Sequence, residues 1–270
     1  MSVTMTAINN SFYNEDCLDM MERIPSGSID FILCDLPYGT TKCKWDIIIP
    51  FEYLWAAYKR IIKENGAIAL FGTEPFSSRL RLSNLEMYRY DWYWEKDKGA
   101  NFLFGNRMPL KTIETISIFY KKQPTYNPQK TINPKGSSKR HLGYNPARIT
   151  KNMKDVMGET WKEDTINTVE NYGGSNYEPD KLLPKQLVYF AKDQRGKIHP
   201  TQKPVQLLEY LVNTYTNADE TVLDNCAGSG STGVACLQTG RNFILVEKDK
   251  TYYEAAEQRL NNTKKEIRVS

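Results

Sequence analysis

Three short clusters in this sequence combine residue types that do chemistry. The first is Asp35-Leu36-Pro37-Tyr38-Gly39, which places a carboxylate, a backbone carbonyl and a phenol within four positions. An exocyclic amine on a nucleobase is a poor nucleophile, because its lone pair is delocalised into the ring. The Asp35 carboxylate and the Leu36 carbonyl could accept its two hydrogens and draw them out of plane, while Tyr38 stacks on the base face and Pro37 stiffens the turn. A plain turn after a strand would use the same residue types. The second cluster is the glycine run Gly228-Ser229-Gly230-Ser231-Thr232-Gly233. Its glycines let a backbone approach a nucleotide cofactor closely, and Glu247 further on could accept both ribose hydroxyls. This specifies an adenosine-type ligand without saying which, and NAD fits it. The third is His199-Pro200-Thr201-Gln202-Lys203-Pro204 before an amphipathic stretch. Lys203 and the helix start would make an anion site for an amino-acid carboxylate, with Thr201 adding a hydroxyl donor and His199 orienting the turn.

These clusters need a scaffold, and the hydrophobic pattern supplies one. Ile29 to Cys34 is short and apolar, as a strand buried on both faces should be. Leu18, Met21 and Ile24 before it recur at helical spacing, and so do Tyr53, Leu54, Ala57, Ile61 and Ile62 within Phe51 to Asn65. Ala67 to Phe71, bounded by Gly66 and Gly72, completes a β-α-β-α-β rhythm. Tyr88, Tyr90, Trp92 and Trp94 then alternate with polar residues, as do Ile116, Ile118 and Tyr120, which predicts an antiparallel pair at one sheet edge. Residues 121 to 195 lose periodicity and are too long for an ordinary loop, so an inserted recognition module is expected there. After Pro204 a helix carries Val205, Leu208, Leu211 and Val212. Strands at Thr221–Asp224 and Phe243–Val246 then flank the glycine run, and a last helix carries Tyr252, Ala256 and Leu260. Each chemical cluster thus falls at the end of a strand or the start of a helix, where open parallel sheets bind their ligands.

Composition narrows the classes. The chain has 270 residues, 40% hydrophobic and 25% charged, which are globular values. No apolar run is long enough to span a membrane, and the start lacks a secretory pattern. Five cysteines without a Cys-x-x-Cys pair and two separated histidines argue against a disulfide framework or a zinc site, so no metal and a cytoplasmic location are expected. Residues 121–198 hold 15 basic and 8 acidic residues, against 21 basic and 24 acidic in the rest. That excess would attract phosphates, although a solvated charged face has the same composition.

Taken together, Asp35-Leu36-Pro37-Tyr38, His199 to Pro204 and Leu223-Asp224-Asn225-Cys226-Ala227-Gly228-Ser229-Gly230 resemble the catalytic, pre-strand and cofactor motifs of amino-group DNA methyltransferases. Their order resembles the β group of that family over about residues 8–125 and 182–262. The resemblance implies an α/β, Rossmann-like S-adenosylmethionine-dependent fold, circularly permuted, with an inserted target-recognition region. Residues 1–120 would form the catalytic half, 121–195 the insertion and 196–270 the cofactor half. It further implies that the turn from Ala227 to Gly230, with Asn225, Cys226 and Thr232, lies beside the methionine portion. Asp224 would meet its ammonium, Thr201 and Lys203 with His199 its carboxylate, Glu247 with Lys248 the ribose, and Asp16 with Cys17 the adenine. Asp35 at the head of the catalytic motif favours adenine N6 over cytosine N4 as the acceptor. The implied partner is double-stranded DNA, with a homodimer and a cognate restriction endonuclease in prospect. The target base would rotate out of the stack. Lys42, Lys44 and Trp45 would fill the vacated space, and Lys135, Lys139, Arg140, Arg148, Lys151 and Lys154 would contact DNA.

The chain departs from the family pattern at three points. Leu36 replaces a proline, and Asn225-Cys226 replaces Pro-Phe. Cytosine amino methylation, a non-catalytic DNA-binding relic, an NAD oxidoreductase and methylation of protein or RNA remain the competing readings at this level.

Overall fold

A computed structural model of the chain describes residues 10–41, 43, 46–132, 180–192 and 198–269. In chain order the elements are β1 (Ser11–Tyr13), α1 (Cys17–Arg23), β2 (Ile29–Cys34), α2 (Phe51–Ile61), β3 (Ile62–Gly72), α3 (Phe76–Leu82), β4 (Tyr88–Ala100) and β5 (Lys111–Phe119). They continue with β6 (Thr131–Ile132), β7 (Lys181–Leu182), β8 (Leu187–Tyr189), α4 (Val205–Tyr215), β9 (Thr221–Asp224), α5 (Ser231–Thr239), β10 (Asn242–Val246) and α6 (Lys250–Val269).

Eight strands form one sheet in the order β1-β10-β9-β2-β3-β5-β4-β8. The run from β1 to β3 is parallel; β5 pairs antiparallel with both β3 and β4. This is a Rossmann-like α/β sheet. Strands β2 and β9 pair directly although more than two thirds of the chain separates them, with Phe31 opposite Val222 and Ile32 opposite Leu223. The catalytic cluster therefore precedes the glycine run in sequence and sits beside it in space, which is the permuted arrangement the resemblance implies.

Alternation along β2 divides the core. Phe31 and Leu33 pack with Leu207, Leu211, Val234 and Ala235 of α4 and α5. Ile32 and Cys34 face Met20, Met21, Leu54 and Tyr58 of α1 and α2 on the other side. A strand covered on both faces by helices is nearly all apolar; β2 is buried at every position, and its one charged residue, Asp30, pairs with Lys63.

Three expectations change. The helix predicted over Phe51 to Asn65 ends at Ile61, because Ile62 is extended and pairs with Ile29, so β3 starts earlier than its apolar run suggests. The antiparallel β4–β5 pair forms, yet β4 is not an edge strand. Leu187–Tyr189 adds to it in parallel, with Trp94 opposite Val188. Finally, the chain divides into one compact unit of residues 1–129 with 185–270 and a second of 130–184, narrower than the expected 121–195 insertion. The flanks belong to the larger unit for a local reason. Asn127 donates its backbone N–H to Thr214 O and its side-chain amide to Asn213 O and Thr216 O, and β8 is held by the ladder to β4. Of the second unit, the described residues form a two-stranded antiparallel ribbon pairing Thr131 with Leu182. Among the described residues no helix is long and apolar enough to cross a membrane.

Candidate active site

The carboxyl ends of β2, β9 and β10 open into a cavity of about 540 Å³. The Ile32–Leu223 register brings Asp35 and Cys226, each three residues further on, to the same level of the sheet. Asp35, Leu36, Pro37 and Tyr38 line one wall; Asp224 to Ser229, Ser231, Thr232 and Glu247 line another, and Asp16, Cys17, His199, Thr201, Lys203 and Lys248 complete it. One predicted residue does not line the cavity. Gly230 caps α5 with φ of +69° and lies against Ala256, where an added Cβ would stand 3.1 Å from that methyl. Its place in the motif is set by the turn and by helix packing. The nine residues expected at DNA (Lys42, Lys44, Trp45, Lys135, Lys139, Arg140, Arg148, Lys151 and Lys154) lie outside the described residues.

Asp35 is the centre of a buried charge chain. Its Oδ1 accepts from Tyr38 Oη and its Oδ2 from Lys203 Nζ, both at 2.5 Å. Lys203 Nζ also stands 3.4 Å from Glu114 Oε2, and Glu114 Oε1 accepts from Lys96 Nζ at 3.0 Å. Burial raises the Asp35 carboxyl above the usual range, with Lys203 opposing the rise and Glu114 adding to it. Burial works against the Lys203 ammonium, but the two carboxylates outweigh it and hold its pKa above normal. Burial likewise raises Glu114, and the two lysines more than reverse this. Tyr38 is driven far above the usual phenol range by burial and by Asp35, so it stays protonated and donates. Its ring rests on Phe76 at 4.9 Å between centroids.

This arrangement corrects the reading of Lys203 as an anion site. Two carboxylates already balance its charge and its ammonium lies over the Phe71 ring at 5.0 Å, so no surplus positive charge is offered. Thr201 turns to His199 instead, with its hydroxyl 3.0 Å from Nδ1. Burial and Lys203 push the His199 pKa down to about 4, so the ring is neutral at neutral pH and orients this turn.

On the opposite wall Glu247 is fixed by the backbone. Its Oε2 accepts from Gly228 N at 2.7 Å and its Oε1 from Asp249 N at 2.8 Å, and burial raises its pKa. Gly228 reaches this position with φ of +50°, a conformation that suits glycine. Asp224 accepts from Thr232 Oγ1 at 2.6 Å and from Cys226 N at 3.1 Å, while burial raises its pKa to about 6. Asp16 caps α1 through Leu18 N at 2.9 Å and pairs with the exposed Lys248 at 2.9 Å. Burial raises Asp16, but these hydrogen bonds outweigh it and leave its pKa low.

The departures at 225 and 226 have partners. Tyr58 Oη donates to Asn225 Oδ1 at 2.5 Å, and the neighbouring Cys17 and Cys34 thiols, with burial, hold the Cys226 thiol well above its usual pKa. Sequence reading missed four further residues. Asp46 accepts the backbone N–H groups of Gly39, Thr40 and Thr41 at 2.8, 2.9 and 2.6 Å and so shapes the turn behind Tyr38. Tyr58 anchors Asn225 from α2, and Glu114 and Lys96 form the far end of the charge chain. The last two were detectable. Continuing the alternation of Tyr90, Trp92 and Trp94 reaches Lys96, and running back from Ile118 and Ile116 reaches Glu114, so both put a charge on an apolar face.

Residues 29–258 match the family model described as DNA methylase, which covers most of the chain. This protein belongs to the DNA methylase family. Among curated relatives it is 26% identical over 272 residues to the Type II methyltransferase M1.MboII of Moraxella bovis, covering 93% of this chain and 96% of that one. The solved complex of M1.HpyAVI with SAM matches this methylase with a TM-score of 0.58 and 22% identity over 93% of this chain and 98% of that one. The PvuII DNA methyltransferase, described as cytosine-N4-specific, matches with a TM-score of 0.59 and 17% identity over 96% of this chain and 92% of that one.

Proposed function

We propose that this methylase transfers the methyl group of S-adenosylmethionine to the N6 amino group of adenine in duplex DNA, by direct in-line displacement on a base rotated out of the stack. The observation that carries this reading is that Asp35 and the Gly228–Glu247 pair line a single cavity at the sheet's carboxyl edge. The donor set suits the cofactor. A cavity of about 540 Å³ lies in the usual size range for small-molecule sites, and Glu247 presents a carboxylate for a ribose diol while Asp224 presents one for an ammonium. Asp16 with Cys17 would border the adenine, and Thr201, held to His199, lines the same cavity. When bound, S-adenosylmethionine supplies a sulfonium-activated methyl carbon as electrophile.

The chain's own residues handle the amine. The Asp35 carboxylate and the Leu36 carbonyl accept its two hydrogens, which localises the nitrogen lone pair toward the methyl carbon. The nitrogen must then lose one proton, and Asp35, already raised by burial, is the adjacent acceptor. Lys203 opposes the rise in the Asp35 pKa and so favours its ionised form, and Tyr38 fixes its orientation. Positioning supplies the rate without a covalent enzyme intermediate.

Asp35 at the head of the motif supports adenine; a relative described as cytosine-N4-specific shares the fold. Digestion of DNA from cells expressing this protein, followed by nucleoside mass spectrometry, decides between N6-methyladenine and N4-methylcytosine. An Asp35→Ala variant should bind cofactor and incorporate no tritiated methyl; incorporation equal to the wild type would refute the assignment. In this reading the unit of residues 130–184 reads the target, the chain before and after it forms the catalytic and cofactor halves, and the protein works in the cytoplasm beside its DNA. A homodimer and a partner endonuclease belong to the same reading, and light scattering tests the first.

A further inference from the structure

Strands β4 and β5 run past the sheet. Gly72, the last residue of β3, pairs with Thr115, and Trp94 pairs with Glu114, so the hairpin continues past β3 at the carboxyl edge where the cavity opens; β8 and the residues after it flank β4 as far as Asp97, and residues 98 to 113 extend further. Glu114, at the base of this projection, is the residue 3.4 Å from Lys203 and thus one charge removed from Asp35. Lys111 lies three residues out from it, about 10 Å along the strand at roughly 3.4 Å per residue. Between Ala100 and Lys111 the tip carries a short 3-10 turn, Phe102–Phe104. Phe102 and Leu103 are 81% and 93% exposed, and Phe104, Met108, Leu110 and Ile113 are exposed as well. Apolar side chains so exposed at a hairpin tip serve no core, and a contiguous patch of this kind marks a contact surface.

The charges around the patch indicate its partner. Lys98, Arg107 and Lys111 are exposed, and from Lys98 to Lys111 the sequence contains no acidic residue. Three cations on a tip that carries no acidic residue of its own oppose docking this face on a second copy of itself. They complement a phosphate backbone instead.

We propose that the tip of the β4–β5 hairpin is a DNA-contacting wedge. Lys98, Arg107 and Lys111 hold phosphates while Phe102, Leu103 and Phe104 enter the base stack beside the target, occupying the space it leaves. The proposal rests on the DNA methylation reading and adds to it the element that opens the duplex. Apolar side chains driven between base steps unstack them, and a base already unstacked costs less to extrude. The wedge therefore matters for duplex DNA and much less for single strands.

Two combined variants test it. Lys98→Gln/Arg107→Gln/Lys111→Gln should bind a short fluorescein-labelled duplex of random sequence more weakly, with the slope of log affinity against log salt reduced by up to about 2.7, or about 0.9 for each phosphate no longer neutralised. Phe102→Ser/Leu103→Ser/Phe104→Ser should keep duplex affinity but lose about tenfold or more of tritiated-methyl incorporation into unmodified plasmid DNA, with a smaller loss on the heat-denatured plasmid. Calorimetric binding of S-adenosylmethionine should match wild type in both, which also shows that they fold. A wild-type salt slope together with a wild-type duplex rate overturns the proposal. So does a variant whose oligomeric mass changes while its DNA properties stay intact, because the face then joins copies of this chain. If wild type itself neither binds the cofactor nor incorporates methyl, the methylation reading fails instead, and the salt slope still reports on the hairpin.

Discussion

Replacing Lys203 with Met removes the ammonium that two buried carboxylates share, and the cost follows from what remains. Glu114 keeps Lys96 at 3.0 Å, so Asp35 alone is left without a cation. Breaking a buried pair by deleting one partner typically costs about 3–5 kcal/mol, and since Asp35 is about a fifth exposed to the cavity, the lower end, about 3 kcal/mol, applies. For a chain of this size that is about 6–12 °C of melting temperature at about 2–4 °C per kcal/mol. The pH dependence sharpens the test. Asp35 is already raised in the folded state, and without Lys203 it rises further. A carboxyl whose folded pKa exceeds its unfolded value penalises the fold fully above the folded pKa, and the penalty fades as pH falls toward the unfolded value. The wild type also loses the Lys203 contribution as pH climbs through that residue's raised pKa, so the difference narrows again at strongly alkaline pH. Urea unfolding followed by tryptophan fluorescence should therefore give a wild-type-minus-variant difference of about 3 kcal/mol near pH 8 that shrinks as pH falls toward the ordinary carboxylate range. Adding Asp35→Asn to the variant should recover most of it. A difference that is independent of pH, or below about 1 kcal/mol at pH 8, would refute the buried ion pair as the organiser of this site.

Other consequences are as specific. Asp224, with its pKa near 6, must be ionised to attract an ammonium, so calorimetric affinity for S-adenosylmethionine should fall as pH drops through 6; Asp224→Asn should bind more weakly and flatten that profile. Gly230→Ala forces a Cβ into the left-handed region 3.1 Å from Ala256, and should cost about 1–2 kcal/mol in thermal unfolding while the cavity stays intact. Tyr58→Phe strands the buried Asn225 carbonyl and should cost about 1–2 kcal/mol, but nearly nothing when Asn225 is already Ala, as a double-mutant cycle would show. Asp46→Ala releases three backbone N–H groups behind Tyr38, and should raise the apparent KM for DNA more than it changes cofactor affinity, as steady-state kinetics can resolve.

Much of the scaffold was legible because its pattern is local. The apolar run of β2, the helical spacing of α1 and the glycine turn between β9 and α5 each announce themselves within a dozen residues. Boundaries set by long-range pairing did not. Ile62 reads as the last residue of a helical stripe, and only the bridge to Ile29 makes it a strand. Leu187–Tyr189 looks like part of an aperiodic insertion until β4 offers it an edge. At the site, most motif residues line one cavity, but the surroundings of Lys203 were not legible. Lys203 suits an anion as long as its neighbours are unknown, because a lysine before a helix is a free charge in sequence. The fold brings Asp35 and Glu114 to it from two other strands.

The departures from the family pattern follow the same logic. Leu36 looks like a lost proline, but its side chain is buried in the core that α1 and α2 cover, and what the chemistry asks of this position is a backbone carbonyl that any residue supplies. Asn225 and Cys226 look like a weakened cofactor motif, yet Asn225 is tied to Tyr58 on a helix that no motif describes, and its amide nitrogen stands 3.6 Å from the Cys226 sulfur. A residue that departs from a motif weakens a site only if its own polar groups are left without partners. Here Tyr58, reaching across from α2, supplies the partner that the buried Asn225 carbonyl needs, and removing it is the direct way to measure how far that hydrogen bond holds the turn.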